Sequence, residues 1–448
     1  MRCARFTTIR RTWQALALAA LVSLALAPMA QARGLIRDAE IEQTLRLIAD
    51  PLIRAAGMNP SRLRILIVQD RSLNAFVAGG NNIFLHTGLL QRLDTVEQLQ
   101  AVLAHEIAHI TGGHQTRIAD RVRNANTVAG LGLLLSIASV ASGAGEAAVA
   151  IGAGSQEVAR RSLLAHSRAE EASADQAGLR YMIAAGVDPQ GLLDVLKLFR
   201  GQEILSARRA DPYVRTHPLW RQRLSLLEAK IAASPKGNGP DPALAAWHKR
   251  MVAKFDAFLD APARTLRDAT SNSELDVMAR AIAYHRLPNR AKSSTAINAL
   301  IKARPGDAFY HELKGQFLLE NGDASGAVAS YRQAVRLAPN ESLILAGLGR
   351  ALVALNTPKS LSEALVVLER ARQRDDANPA LMRDLGRAYA ANGQPGLAAL
   401  STAERFALQA RLRDAQIHAT RAQGQLPQGS PAWRRAQDIL DAAKKVDR

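Results

Sequence analysis

The stretch that decides the fold of the N-terminal half is Leu99-Gln100-Ala101-Val102-Leu103-Ala104-His105-Glu106-Ile107-Ala108-His109. Its apolar residues recur at helical spacing, and Asp94, three residues before Glu97, resembles a capping box that would start the helix. Positions four apart share one face of a helix, so His105 and His109 can offer two imidazole nitrogens to one zinc ion. The alternative is a core helix that contains two histidines by coincidence.

A carboxylate stands directly beside this histidine pair. Glu106, rotated to the side of the helix, can take the proton of a water molecule as that water attacks a peptide carbonyl. A catalytic zinc site also needs a third protein ligand and one position open for water. One class of zinc peptidases has a third histidine at the position occupied here by Gln115, so the sequence argues against that class.

The third ligand is predicted in a second helix at residues 168–185, within Glu170-Glu171-Ala172-Ser173-Ala174-Asp175. Glu171 and Asp175 share one face of that helix. Glu171 can therefore ligate zinc, one ion per chain, while Asp175 binds the far nitrogen of a ligand histidine and fixes its tautomer. The alternative for Glu171 is a place on a solvated acidic helix face.

A small sheet is predicted before the histidine motif. Apolar residues alternate from Leu63 to Val68, as in a strand, and two apolar runs flank the turn Gly79-Gly80-Asn81-Asn82, as in a hairpin. An exposed strand beside the zinc ion could pair with an extended peptide through main-chain hydrogen bonds. Gly80, Asn82 and Phe84 are the candidate edge, and the alternative is an internal strand.

The C-terminal half has the pattern of a helical repeat. Gly315, Gly349 and Gly386 align at separations of 34 and 37 residues, with small residues at fixed offsets that let paired helices approach closely. The pattern resembles tetratricopeptide repeats, and the alternative is an unrelated helical bundle. The predicted fold class is a mainly α catalytic domain with a small β-sheet, zincin-like α+β, followed by an all-α repeat array.

Residues 1–32 have the features of an export signal, because arginines precede an apolar run that ends in Ala30-Gln31-Ala32. Cleavage after Ala32 would place the mature chain in the periplasm. The single cysteine, Cys3, precedes that site, so the mature chain could form neither a disulfide nor a cysteine-ligated zinc site. Cleavage removes four arginines and no acids, which lowers the formal net charge from +18 to +14.

The remaining positive charge is consistent with attraction to anionic surfaces or with a solvated arginine-rich surface. No basic run is interleaved with aromatic residues, so nucleic acid is not an expected partner.

A stretch rich in proline and glycine separates the two halves of the chain. The predicted segments are a signal peptide at residues 1–32, the catalytic domain at 33–233, a linker at 234–242, a helical segment with a degenerate repeat at 243–304, and the repeat array at 305–448.

The motifs of residues 40 to 230 together resemble the M48 family of zinc metallopeptidases. The matching motifs are Asn74-Ala75-Phe76-Val77, Thr87-Gly88-Leu89-Leu90, His105 to His109 with His114, Ser167-Arg168 leading to Glu171-Ala172-Ser173-Ala174-Asp175, and Thr216-His217-Pro218 followed by Arg223. With the export signal and the repeats added, the chain is similar to the periplasmic beta-barrel assembly-enhancing proteases of this family. The resemblance implies that His105, His109 and Glu171 bind zinc and that Glu106 is the general base.

The resemblance also implies that His217 approaches the metal from a loop and occupies the open position in a resting state. From the residues alone, His217 is a structural loop residue, although a neutral imidazole can also polarise a substrate or donate a hydrogen bond to an oxyanion. Arg223 either assists the oxyanion or pairs with an acid. His86, His114 and His166 are assigned structural roles.

An apolar run from Val128 to Ala153 separates the two zinc-ligand helices and contains a single charge, Glu146. A single membrane span would place His105 and Glu171 on opposite sides of a bilayer, and two spans do not fit into this length. A lid or core hairpin is expected. The alternative is a peripheral membrane contact, in which the segment dips into a membrane surface.

The sequence thus predicts a periplasmic zinc endopeptidase that hydrolyses unfolded or misassembled envelope proteins. The family resemblance implies a role in outer-membrane protein assembly and quality control, with the repeats binding the outer-membrane assembly machinery. A rival hypothesis is a chaperone-like repeat adaptor whose protease domain is normally silent. A third is a zinc hydrolase of small substrates.

Overall fold

The computed structural model describes residues 34–114, 168–200, 211–217, 221–235, 237–239 and 241–446. The described residues from Gly34 onward belong to one compact unit. They contain nineteen α-helices and one four-stranded sheet, which confirms the predicted fold class. None of the described helices is both long and apolar enough to cross a bilayer. The export signal, the run from Val128 to Ala153, Gln115 and His166 lie outside the described residues.

The sheet lies at the N-terminal end of the described chain. Its strands are β1 (Leu35–Ile36), β2 (Arg64–Val68), β3 (Ala75–Ala78) and β4 (Asn82–His86), in the spatial order β1-β2-β4-β3. β2 and β4 are parallel, whereas β1 and β3 are antiparallel to their neighbours. Gly79 and Gly80 form the β3–β4 turn with φ angles of +60° and +89°, a region that glycine adopts without a steric penalty.

The prediction that Gly80, Asn82 and Phe84 form an exposed sheet edge was wrong. Phe84 pairs with Leu66 of β2 on one side and with Phe76 of β3 on the other, and its side chain is fully buried. Consecutive apolar residues such as those of β4 are typical of a strand covered on both faces. Of the two described strands that form the hairpin, β3 is the edge strand, because β4 is its sole neighbour in the sheet.

Seven helices complete the N-terminal domain. They are α1 (Ala39–Ala55), α2 (Thr87–Arg92), α3 (Val96–Thr111), α4 (Arg168–Ala184), α5 (Gln190–Leu198), α6 (Pro212–Thr216) and α7 (Arg221–Ala232). The capping box of α3 is formed by Thr95 and Gln98, not by Asp94 and Glu97, because the side chains of Thr95 and Gln98 each bind the other's backbone N–H.

α3 is the central helix of this domain. Every residue from Gln98 to His109 is buried, which is typical of a helix covered on all sides. α3 packs against α1, α4 and α5. A Cβ atom at Gly178 of α4 would lie 3.3 Å from the backbone of Ala104 and His105, so a glycine at this position lets α4 approach the histidine motif closely.

The helix after the predicted linker belongs to the same core. α8 (Pro242–Leu259) begins at the last residue of the predicted linker, and the described linker residues before it form neither helix nor strand. Its Met251 and Phe255 are buried in the hydrophobic core cluster that also contains α3. The linker therefore connects two elements of one packed core, and the short helix α9 (Pro262–Asp268) follows.

The remaining helices form antiparallel pairs. They are α10 (Glu274–Arg286), α11 (Arg290–Ala303), α12 (Ala308–Glu320), α13 (Ala324–Leu337), α14 (Ser342–Leu355), α15 (Pro358–Arg372), α16 (Pro379–Ala391), α17 (Pro395–Leu408), α18 (Leu412–Gln423) and α19 (Pro431–Val446). Gly315, Gly349 and Gly386 occupy equivalent places, each on the first helix of a pair and close to side chains of the second. The aligned glycines are therefore positions of close helix contact, as the repeat pattern predicts.

A buried charge network joins α1 to α8 and α12. The fully buried Lys254 of α8 places its Nζ 2.8 Å from Asp38 Oδ2 and 3.1 Å from Glu40 Oε2. Arg250, on the same helix, contacts Glu40 and lies 2.5 Å from Asp307, the N-cap of α12. Burial alone would lower the pKa of Lys254, but the carboxylates outweigh it and raise that pKa above its usual value.

Replacing Lys254 by Ala should lower the free energy of unfolding by about 3 kcal/mol, because Asp38 and Glu40 would lose their partner in a buried site. The value lies at the low end for a broken buried ion pair because Glu40 retains Arg250. Urea unfolding followed by circular dichroism measures the change. Lys249 is an exposed lysine of the same helix, so Lys249→Ala is the matched control. Equal transition midpoints for the two variants would contradict a stabilising role of the network.

Candidate metal centre

Two helices and the end of a third bring four side chains to one point. α3 presents His105 and His109 one turn apart, α4 presents Glu171, and His217 directly follows α6. One ligand atom from each of these residues lies within 4.8 Å of those of the other three. The Nε2 atoms of His105 and His109 are 3.0 Å apart, and Glu171 places its two oxygens 3.3 and 3.4 Å from them.

His217 fills the fourth side of this cluster. Its Nδ1 lies 3.2 Å from His105 Nε2 and 3.1 Å from Glu171 Oε1. Its Nε2 lies 3.3 Å from Glu106 Oε1 and 3.3 Å from the carbonyl oxygen of Ala75 on β3. The imidazole thus separates the general-base candidate from the three other ligand candidates.

These residues fit a divalent metal ion. Two histidines, a carboxylate and a further histidine are the donors that zinc takes in proteins. Both carboxylate oxygens of Glu106 are buried and accept no hydrogen bond from any described residue. A buried carboxylate without a donor is costly, and a water molecule beside a metal ion in this cluster would provide the donor. Burial raises the pKa of Glu106 above its usual value.

The far nitrogens of both α3 histidines have partners. His105 Nδ1 lies 3.1 Å from Asp175 Oδ1, as predicted from the spacing on α4. His109 Nδ1 forms a 2.9 Å hydrogen bond with Nδ1 of His114, just beyond the end of α3. Such partners fix the ring orientation and direct Nε2 into the cluster. His114 was assigned a structural role from the sequence, and its position shortly after the helix is the signal that could have identified it.

Arg223 binds two acids of α4, Glu171 and Asp175. Its Nε and Nη2 lie 2.6 and 2.8 Å from the carboxylate of Asp175, and its Nη1 lies 2.7 Å from Glu171 Oε2. The guanidinium is buried, so this placement favours pairing with acids over contact with an oxyanion. It also orients Glu171 toward His105 and His109.

The charges explain how this acidic cluster stays ionised. Burial would raise the pKa of Glu171, but His217 and Arg223 outweigh it and hold that pKa well below its usual value. The pKa of Asp175 is lowered for a related reason, because Arg223 and the hydrogen bond from His105 outweigh its burial. Burial would lower the pKa of His105, yet the hydrogen bonds to Asp175 and Glu171 raise it to about 9.

One further aromatic residue lines the site and was not predicted. The ring of Tyr213 on α6 lies 4.7 Å from the His217 ring and 4.8 Å from Phe199. Its ring packs against the imidazole of the loop histidine. No spacing rule points to a lone tyrosine. Gly80, Asn82 and Phe84 contribute no atom to the cluster, and His86 contacts Ser72 instead.

Comparison with known proteins finds family models that match two parts of the chain. Residues 37–231 match the model described as Peptidase family M48, and residues 259–422 match a Tetratricopeptide repeat model. The Beta-barrel assembly-enhancing protease of Escherichia coli O157:H7 is 28% identical over 444 residues, covering 93% of this chain and 86% of that protein. Its counterpart in Escherichia coli strain K12 is 27% identical over 440 residues, with the same coverage.

A further relative matches a smaller share of the chain. The Mitochondrial metalloendopeptidase OMA1 of Schizosaccharomyces pombe is 28% identical over 180 residues, which is 40% of this chain and 49% of that protein. The range that matches the peptidase model contains all four residues of the metal cluster.

Proposed function

Because the chain carries a metallopeptidase domain of family M48 followed by tetratricopeptide repeats, we propose that it is a periplasmic zinc endopeptidase acting on unfolded or misassembled envelope proteins. The observation that carries the proposal is the convergence of His105, His109 and Glu171 beside the unsatisfied carboxylate of Glu106. The names of the Escherichia coli relatives support a role in outer-membrane protein assembly. One zinc ion per chain is part of the proposal.

Each residue has one role in the proposed reaction. His105, His109 and Glu171 hold the zinc ion, which when bound polarises the scissile carbonyl and acidifies water. Glu106 takes the proton of the attacking water at Oε1 and passes it to the leaving amide nitrogen. Asp175 keeps the proton of His105 on Nδ1, so that Nε2 remains a ligand.

Substrate recognition is proposed at β3 in place of β4. β3 pairs with β4 on one side only, and the carbonyl oxygen of Ala75 lies 3.3 Å from His217 Nε2. An extended peptide that added to this strand would therefore pass close to the ligand cluster. Main-chain pairing selects for unfolded segments more than for side-chain identity.

The repeats are proposed to hold protein partners, including the outer-membrane assembly machinery. A repeat array supports the rival function as well, an adaptor in which the protease is normally silent. Complementation of a deletion strain by Glu106→Gln separates the two. An adaptor would retain its function with this substitution, and a protease would lose it.

The proposed activity is tested by casein cleavage and metal content, measured on the same purified sample in parallel with Glu106→Gln. About one zinc per chain with cleavage that depends on Glu106 supports the endopeptidase. A chain that binds no metal would contradict the mechanism. Zinc without cleavage would indicate a resting state that His217 maintains.

Replacing His217 by Ala should raise basal casein cleavage several-fold, because the imidazole occupies the space between Glu106 and the ligand cluster. Initial rates with equal metal loading measure the effect. His311→Ala is the control, since His311 lies on the repeat helix α12, where it contacts Pro305. A fall in the rate would instead assign His217 to substrate or oxyanion binding, and an unchanged rate would leave it a structural role.

A further inference from the structure

A groove in the repeat array contains a concentration of arginines. It lies between α16, α17 and α18 and has a volume of about 600 Å³. Its basic side chains are Arg383, Arg387, Arg405, Arg421 and His418. No aspartate or glutamate of the described residues lines it.

Most of these positive charges have no acidic partner. Arg383 lies 2.9 Å from Asp384, which is buried and also binds Arg350. In the part of the chain that the structure describes, Arg387 and Arg421 make no ion pair, and both side chains are exposed. The Nε of Arg405 is buried and has no hydrogen-bond acceptor among those residues. The groove therefore presents three guanidinium groups that no acidic side chain of the described residues neutralises.

The arginines repel one another. Burial and the charges of Arg383, Arg411 and Arg387 lower the pKa of Arg405 below its usual value. Burial and the charges of Arg421 and Arg405 likewise lower the pKa of His418. The repulsion between these positive charges is unfavourable, and an anion bound in the groove would relieve it.

The contact between α17 and α18 does not use Arg387 or Arg421. α17 and α18 contact each other through small buried residues, among them Ala399, Ala403, Ala419 and Ala422. The side chains of Arg387 on α16 and Arg421 on α18 are both exposed. A binding role therefore explains the charge concentration better than a packing role does.

We propose that this groove binds an acidic segment of a partner protein, with its carboxylates on Arg387, Arg405 and Arg421. The guanidinium fork matches a carboxylate with two parallel hydrogen bonds. Small residues such as Gly386 and Ala398 form the walls, which leaves room for an extended main chain. Acidic motifs are commonly bound by arginine clusters in this way. The positive charges line a groove between three helices, which an extended peptide can follow, so a peptide is favoured over a lipid headgroup.

The proposal deepens the partner-binding role of the repeats and rests on that part of the proposed function, not on proteolysis. The probe is a fluorescein-labelled peptide rich in glutamate, compared with the same peptide carrying glutamine at those positions. Binding is measured by fluorescence anisotropy on the full chain with Glu106→Gln, so that the probe stays intact. The glutamate peptide should bind, and added salt should weaken it.

The double variant Arg387→Ala/Arg421→Ala should lower the affinity for the glutamate peptide by at least about tenfold, because two charge-assisted hydrogen-bonding sites are lost. Both side chains are exposed, so the fold should be retained, and thermal melting verifies this. Arg434 is an exposed arginine of α19 that lies outside the groove, so Arg434→Ala is the control. This variant should bind the glutamate peptide with the affinity of the unaltered chain.

Equal binding of the glutamine peptide would overturn the proposal, as would unchanged affinity in the double variant. Sedimentation with phosphatidylglycerol vesicles tests the lipid alternative. If the double variant loses vesicle binding while the peptide does not bind, the groove is a lipid site and the proposal is wrong. Casein cleavage by the chain with intact Glu106 reports the proposed protease separately, so peptide binding would support the groove proposal whether or not casein is cleaved.

Discussion

Glu106→Gln is expected to lower casein cleavage by about 10²- to 10⁴-fold, the range that a positioned general base contributes to a reaction. Gln keeps the size of the side chain and removes the proton acceptor. Both oxygens of Glu106 are buried and accept no hydrogen bond from any described residue, so the contact that the substitution alters is that of Oε1 with His217 Nε2, 3.3 Å away. The metal content should stay at that of the unaltered chain, because His105, His109 and Glu171 remain.

The measurement is the initial rate of casein cleavage, with metal content and thermal melting determined on the same samples. Equal rates for the two proteins would remove Glu106 from the mechanism. A fall in metal content alongside the rate would mean that Glu106 supports the ligands instead of acting as a base. Loss of cleavage with retained metal and an unchanged melting temperature is the result that assigns the proton transfer to Glu106.

The metal cluster was predictable because local spacing determines which residues share a helix face. His105 and His109 are one turn apart on α3, and Glu171 and Asp175 are one turn apart on α4. Each pair therefore points to one side whatever the rest of the chain does. That the two faces meet depends on the close approach at Gly178, which no spacing rule contains.

The sheet edge was mispredicted for a related reason. A hairpin pattern shows that β3 and β4 pair, but not which of them has a second neighbour. The parallel pairing of β2 with β4 joins residues separated by the turn and by β3 itself. The buried network around Lys254 and the arginine groove between α16 and α18 also depend on contacts between distant segments. Sequence patterns within one helix do not carry that information.

Glu171→Gln is expected to abolish both metal binding and casein cleavage, whereas the same substitution at Glu106 should abolish cleavage alone. Glu171 is the carboxylate ligand candidate, and its oxygens lie 3.3 and 3.4 Å from the two histidine Nε2 atoms. A neutral amide is a poor zinc ligand, and it does not neutralise the positive charge of the Arg223 guanidinium. The metal content should fall from about one zinc per chain to nearly none. Metal retained at the level of Glu106→Gln would exclude Glu171 as a ligand.

Urea unfolding separates the two consequences of Glu171→Gln. With a chelator present, the metal stabilises neither protein. The difference between their free energies of unfolding then reports the lost contacts of the carboxylate with Arg223 and with the histidines of the cluster. Arg223 retains Asp175 through two short contacts, so this difference should be about 1–3 kcal/mol. Without chelator, the unaltered chain gains the additional stability of a ligand that binds only the folded state. If Glu171 is a zinc ligand, the free energies of unfolding of the unaltered chain and of Glu171→Gln should therefore differ more without chelator than with it.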